Sequence, residues 1–201
     1  MQVSSAQWSL AALLFVCLAS FGWAMRGFFI HPAGTTLGMR ITGVCGTVFA
    51  ILHFAAILLA KNLPDARAAI AALLYAAALA LFWWAISANR NKPLSAVFSP
   101  DLPVHIVNHG PYRYIRHPLY CSYLMTWIAG CIGTLAWWLI PTVIVMVIIY
   151  IKAARQEEEK FSRTCLAPVY RDYRSRTGLL TPKFLFLQKK TFRAGRSWLV
   201  L

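Results

Sequence analysis

Acidic side chains are nearly missing from this chain: there are six Asp and Glu among 201 residues, against twenty Lys and Arg. Charged residues make up 13%, about half the share usual in soluble domains. Hydrophobic residues make up 59%, and the mean hydropathy is +0.58. This balance excludes an ordinary water-soluble domain and points to an integral membrane protein. Paired cysteines are missing too. Cys17, Cys45, Cys121, Cys131 and Cys165 form no Cys-x-x-Cys, and four of them lie inside apolar runs, where Cys behaves as a small hydrophobe. Neither a disulfide framework nor a metal site is expected from them. No base-reading module accompanies the basic excess, so nucleic acid is not the expected partner.

The apolar runs come next. Trp8 to Met25 is an 18-residue run, about 27 Å as helix and long enough to span. No Lys or Arg precedes it and Arg26 follows it, which favours a retained span with its N-terminus outside over a signal peptide. Ile41 to Ala60 is interrupted only by His53, which is expected to pack on a neighbouring helix or lie near the interface. Ala68 to Ala88 is Ala-rich, as suits close helix packing. Leu119 to Ile151 then runs 33 residues without a charge. One helix of that length would measure about 50 Å, too long for a single crossing. Gly133 and Pro141 mark a reversal near 134–141, giving a hairpin of two spans.

Five spans place eighteen of the twenty basic residues on one side, leaving Lys61 and Arg67 on the other. This is the bias of cytoplasmic segments, with anionic headgroups as neighbours. The expected fold is an all-α integral membrane protein of about five transmembrane helices, with a helical hairpin and a cytoplasmic C-terminal cofactor-binding region. Residues 1–88 form three N-terminal spans, 89–182 the catalytic region, and 183–201 a basic, aromatic tail lying on the headgroups. The last span is expected to continue into the cytoplasm as the helix-forming IKAARQEEEKFSRTCL.

Asn89 to His117 is a long connection in which Pro93, Pro100, Pro103 and Pro111 forbid a continuous helix. It leads into HIVNHGPYRYIRHPLY, residues 105–120, which holds three of the five histidines, two arginines and three tyrosines. Such a cluster at the mouth of a span is costly unless it serves a purpose. Pro118 suits the first turn of the following helix, whose N-terminus favours an anionic group. The hairpin returns the chain to the same side, bringing Glu157, Glu158 and Glu159 near the cluster. Two readings stand side by side. In one, helix N-terminus, Arg113 and Arg116 face Glu158 and Glu159 around a zwitterionic small molecule. In the other, the arginines are headgroup anchors and the glutamates a solvated helix face.

The spacing of GPYRYIRHPLY, a hydrophobic hairpin, EEKF, VYRDY and TGLLTP resembles the isoprenylcysteine carboxyl methyltransferase family of membrane-embedded enzymes. The resemblance covers residues 105–182 and implies an S-adenosylmethionine-dependent methyltransferase. It implies cofactor contacts from His105, Ile106, Val107, Tyr112, His117, Pro118, Leu119, Tyr120 and Glu158. Arg113, Arg116 and Glu159 join them as candidates on the chemistry above. Where the family has a substrate-side Arg, this chain has Ala154, with Arg155 next to it. Leu166-Ala167 and Leu179 are further departures, so a different substrate is expected.

The implied catalytic set is His117, Glu158 and Arg155, with no metal. The acceptor is a lipophilic molecule delivered from the membrane. If it is a carboxylate, Arg155 positions it and no base is needed. If it is a lipid amine, His117 or Glu158 must take a proton. Tyr112 and Tyr120 suit cation–π contact with a sulfonium. Membrane sterol and lipid reductases that use NADPH show a similar R-H-x-x-Y segment, but the paired glutamates argue against that reading.

Overall fold

The structure, a computed structural model, describes residues 3–29, 34–61, 63–90 and 97–183. Six α-helices follow in order: α1 (Ser5–Gly27), α2 (Leu37–Leu59), α3 (Asp65–Ala88), α4 (Pro118–Thr134), α5 (Ile140–Phe161) and α6 (Ala167–Arg176). Short 3-10 turns at Gly110–Arg113 and Trp137–Leu139 precede α4 and α5. Among the described residues there is no strand, only one isolated bridge. Four helical stretches among the described residues, 5–27, 37–59, 65–88 and 137–161, are long and apolar enough to cross a membrane. With 17 residues α4 is shorter, and its partner α5 follows after the turn at 135–139. The basic tail falls outside the described residues from 184 onward.

Local chemistry sets the helix ends. Ser4 and Gln7 form a reciprocal cap on α1. The buried Gln7 amide also donates to the carbonyls of Ile57, Leu58 and Ala60, so one side chain satisfies orphan groups at the end of α2 as well. Along α3 the buried residues include Ala68, Ala71, Tyr75, Ala78, Phe82 and Ala85, with Ile86 beside the last. They alternate three and four apart, and form one stripe facing the other helices. The small ones let α4 come close: a Cβ on Gly133 would lie 3.1 Å from both Ala71 Cβ and Leu10 Cδ1.

His53 packs against its neighbours as expected. It is fully buried, and its Nε2 lies 3.0 Å from Thr142 Oγ1 on α5. The Thr142 hydroxyl donates to Leu139 O at 2.6 Å. Its oxygen therefore accepts from Nε2–H, which leaves Nδ1 as a bare acceptor. Nδ1 points at Gly130 on α4, where a Cβ would meet it at 2.2 Å and the Tyr75 hydroxyl of α3 at 3.2 Å. Four helices meet at this point. Gly130→Ala is expected to destabilise the protein by about 1–3 kcal/mol through overpacking, read as a lower thermal midpoint in detergent. Gly34→Ala, with open space around it, is expected to leave the midpoint in place.

One expectation needs correction. The last long helix stops at Phe161 and does not run on to Leu166; residues 162–166 form turns before α6 begins. The ring of Pro168 would clash with the Thr164 carbonyl in a continuous helix. Thr164 instead caps the turn, its Oγ1 accepting from Leu166 N at 3.2 Å.

Candidate active site

The site is assembled by a tie between two segments far apart in sequence. Gly110 has φ +58°, and a Cβ there would press on Ala88 Cβ at 2.9 Å; only glycine lets the 3-10 turn lie on the end of α3. Beyond it, residues 114–117 pair in parallel with 178–179. Arg116 N donates to Gly178 O at 2.8 Å, His117 N to Leu179 O at 3.1 Å, and Gly178 N to Tyr114 O at 3.2 Å. The Tyr173 hydroxyl of α6 donates to Tyr112 O at 2.7 Å. The TGLLTP segment thus straps the aromatic and basic cluster in place.

Arg116 is the knot of this strap. Its Nε donates to Glu158 Oε1 at 2.5 Å, and its Nη1 donates to Thr177 O and to Arg174 O. Both side chains of the Arg116–Glu158 pair are buried, and Arg174 Nε approaches Glu158 Oε2 at 3.5 Å. Glu158 is therefore engaged from within the protein.

His117 stands between two neighbouring glutamates. Its Nδ1 lies 3.4 Å from Glu157 Oε2 and its Nε2 3.5 Å from Glu158 Oε1. The ring stacks on Tyr120 at 5.4 Å and 7°, and Tyr120 on Tyr150 at 5.2 Å and 11°. The Tyr120 hydroxyl donates to Glu157 Oε1. Burial pulls the imidazole pKa down, but hydrogen bonding and charge from the two glutamates outweigh it and hold it above the ordinary 6.5. A value raised in the folded state contributes stability that is fully present below about pH 6.5 and is lost as pH climbs through the folded value. The unfolding midpoint of the wild type, measured against His117→Gln across that range, is expected to fall accordingly.

These groups face a cavity of about 600 Å³. Its polar end is lined by His105, Ile106, Val107, Tyr112, Arg116, His117, Leu119 and Tyr120, all expected from the sequence, together with Glu157, Tyr150 and Lys160. Its apolar end runs between α1 and α2 past Leu18, Gly22, Gly43 and Gly46. Other candidates sit elsewhere. Pro118 is buried in the first turn of α4, Glu158 lies behind the wall, Arg113 and Arg155 are exposed, and exposed Glu159 pairs with Arg163 at 2.8 Å. Helix phase separates them: successive residues turn about 100°, so Glu157 faces the cavity, Glu158 the strap and Glu159 the outside.

Several site residues were not singled out from the sequence. Lys160 Nζ donates to Ser99 O, and Ser99 Oγ to Asp101 Oδ2 at 2.5 Å, which fixes the connection over the cavity. Phe98, at φ +57°, wedges its ring against Gly38, where a Cβ would lie 2.6 Å away. No local pattern announces the Lys160–Ser99 and Phe98–Gly38 contacts, because they join positions sixty or more residues apart.

The phospholipid methyltransferase family model matches residues 66–167, just over half the chain. The chain belongs to that family. The matched span contains α3 apart from its first residue, the connection, α4, α5 and all three glutamates of 157–159. No curated protein matches the sequence. Family and apolar helices together define a methyltransferase of the membrane, and the family is one of methyltransferases, not reductases.

Proposed function

We propose that the protein transfers a methyl group from S-adenosylmethionine to an amine carried on a lipophilic molecule. The observation that carries this reading is the charge of the cavity wall. Glu157 presents a carboxylate there, its side chain 30% exposed. Arg116 is committed to Glu158 and two carbonyls, and Lys160 to Ser99 O. Ala154 is fully buried where the isoprenylcysteine enzymes carry Arg, and the neighbouring Arg155 points away from the cavity. An ammonium can pair with the Glu157 carboxylate, whereas the Arg116 and Lys160 side chains that could receive a carboxylate on this wall are already engaged.

S-adenosylmethionine supplies an electrophilic methyl on a sulfonium. The residues present suit it. His105 Nε2 is buried in the cavity wall without a hydrogen-bond partner among the described residues, and buried polar atoms call for one. The faces of Tyr120 and Tyr150 offer cation–π contact. His105, Ile106, Val107, Tyr112, Leu119 and Tyr120 would hold the cofactor, and the first turn of α4 after His117 and Pro118 would face its carboxylate. The acceptor's chain would lie toward Gly43 and Gly46, entering from the bilayer. On this reading α4 is a fifth crossing, and the basic bias puts the site on the cytoplasmic face.

Calorimetry on detergent-purified protein tests the cofactor half. Micromolar binding of S-adenosylmethionine, weakened at least tenfold by Tyr120→Ala and by His105→Ala, is the expected result. Absence of binding to protein shown to be folded would refute the reading.

A further inference from the structure

Three ionisable groups follow one another from the cavity wall inward. Glu157 and His117 both line the cavity, with His117 Nδ1 3.4 Å from the Glu157 carboxylate, and buried Glu158 lies 3.5 Å from Nε2 on the other side of the ring. Beyond Glu158 stands Arg174, whose side chain is 62% exposed. Glu157 and Glu158 are adjacent in sequence, yet the turn of α5 sends them to opposite nitrogens of one ring. The His117 backbone is held by its N–H bond to Leu179 O, and the ring by its stack on Tyr120.

We infer that Glu157, His117 and Glu158 form a proton exit line, in which Glu157 takes the proton that an ammonium acceptor must lose and His117 passes it to Glu158. The inference rests on the amine reading above. An ammonium gives one proton to the Glu157 carboxylate and becomes a free amine. Its lone pair then forms the N–C bond as the C–S bond breaks, and that electron pair stays on sulfur. The product ammonium keeps the remaining protons, so one proton leaves per turnover. Glu157 hands its proton to His117 Nδ1, and the Nε2 proton crosses 3.5 Å to Glu158, which is buried between Arg116 and the exposed Arg174.

His117 accepts a proton only when neutral. The groups facing it are Glu157 and Glu158 from α5 and Tyr120 from α4, with Arg116 and Arg174 acting through Glu158. Turnover therefore rises with pH through the titration of His117, opposite in sense to its contribution to stability.

The full chain in detergent tests this with S-adenosylmethionine and dodecylamine as probes. ¹⁵N-histidine NMR gives the midpoint of His117, identified by its loss in His117→Gln. Glu157→Gln is expected to bind S-adenosylmethionine within about twofold of wild type, to lose roughly 100-fold in kcat at neutral pH, and to lower that midpoint. Glu158→Gln is expected to lower it as well. In the wild type, the acid limb of the kcat profile is expected to share its midpoint with the NMR titration. A Glu157→Gln enzyme with wild-type kcat across pH would overturn the line while the amine reading stood, and so would loss of cofactor binding in that variant. Should the variant not fold, a wild-type kcat independent of pH across the NMR midpoint overturns it. Methylation of lauric acid and not of dodecylamine would remove the amine reading itself.

Discussion

Arg116→Ala is expected to cost about 3 kcal/mol of stability and to abolish methyl transfer together. Removing one partner of a buried ion pair leaves the other charge stranded in a low-dielectric site, typically at 3–5 kcal/mol. Glu158 keeps Arg174 and His117 at 3.5 Å each, which holds the loss to the low end. Function suffers beyond stability, because the same guanidinium holds Thr177 O and Arg174 O and so closes the strap that fixes His117. Chemical or thermal unfolding in detergent measures the first effect. The double variant Arg116→Ala/Glu158→Gln separates the two: with the stranded charge gone, much of the stability is expected to return while activity does not. Arg116→Lys is expected to restore little, since an ammonium cannot reproduce the planar fork that reaches a carboxylate and two carbonyls at once.

Gly46→Phe is expected to lower kcat/KM for dodecylamine by roughly 100-fold while leaving S-adenosylmethionine binding unchanged. Gly46 lines the apolar end of the cavity, and a Cβ built there meets nothing within 4 Å. A phenyl group grown from this point fills space that the acceptor's chain would occupy. Displacing about four methylenes forfeits about 3 kcal/mol of transfer energy, at about 0.8 kcal/mol each, and 1.4 kcal/mol is tenfold. Butylamine, whose chain is eight carbons shorter, is expected to keep its rate. Ile51→Phe, on an outward-facing position of the same helix (Ile51 is 63% exposed), is the control for added bulk and is expected to change neither substrate. Equal loss for butylamine and dodecylamine would mean that the apolar end does not take the chain.

Much of this architecture is legible in the sequence because membrane helices announce themselves by length. The runs from Trp8 and Ala68 fall inside α1 and α3, the run from Ile41 overshoots the end of α2 by one residue, and the reversal between Gly133 and Pro141 falls where α4 ends and α5 begins. Helix starts lie several residues earlier than the apolar runs, since Ser4 and Thr36 cap them through polar side chains. The cluster at 105–120 stands out for its density of polar groups next to a charge-free run, and the cavity is built on it. Phase was harder to read. Arg155, Glu157, Glu158 and Glu159 lie within five positions of one helix, and one residue of rotation decides which meets the ligand, the strap or solvent. The apolar context at 152–161 is too thin to set that rotation. The strap is illegible for another reason: a parallel bridge between 115 and 178 has no local signal, and the glycine that permits it shows its role only beside Thr181 O, 1.7 Å from where a Cβ would stand.

The most direct test offers equal dodecylamine and lauric acid, which share one chain length and differ only in the accepting group. Purified protein receives methyl-labelled S-adenosylmethionine, and the products are separated and treated with base. The account predicts label in N-methyldodecylamine, stable to base, and its loss in Glu157→Gln. Label released by base from methyl laurate would contradict it, and would return the site to the carboxylate chemistry of the isoprenylcysteine enzymes.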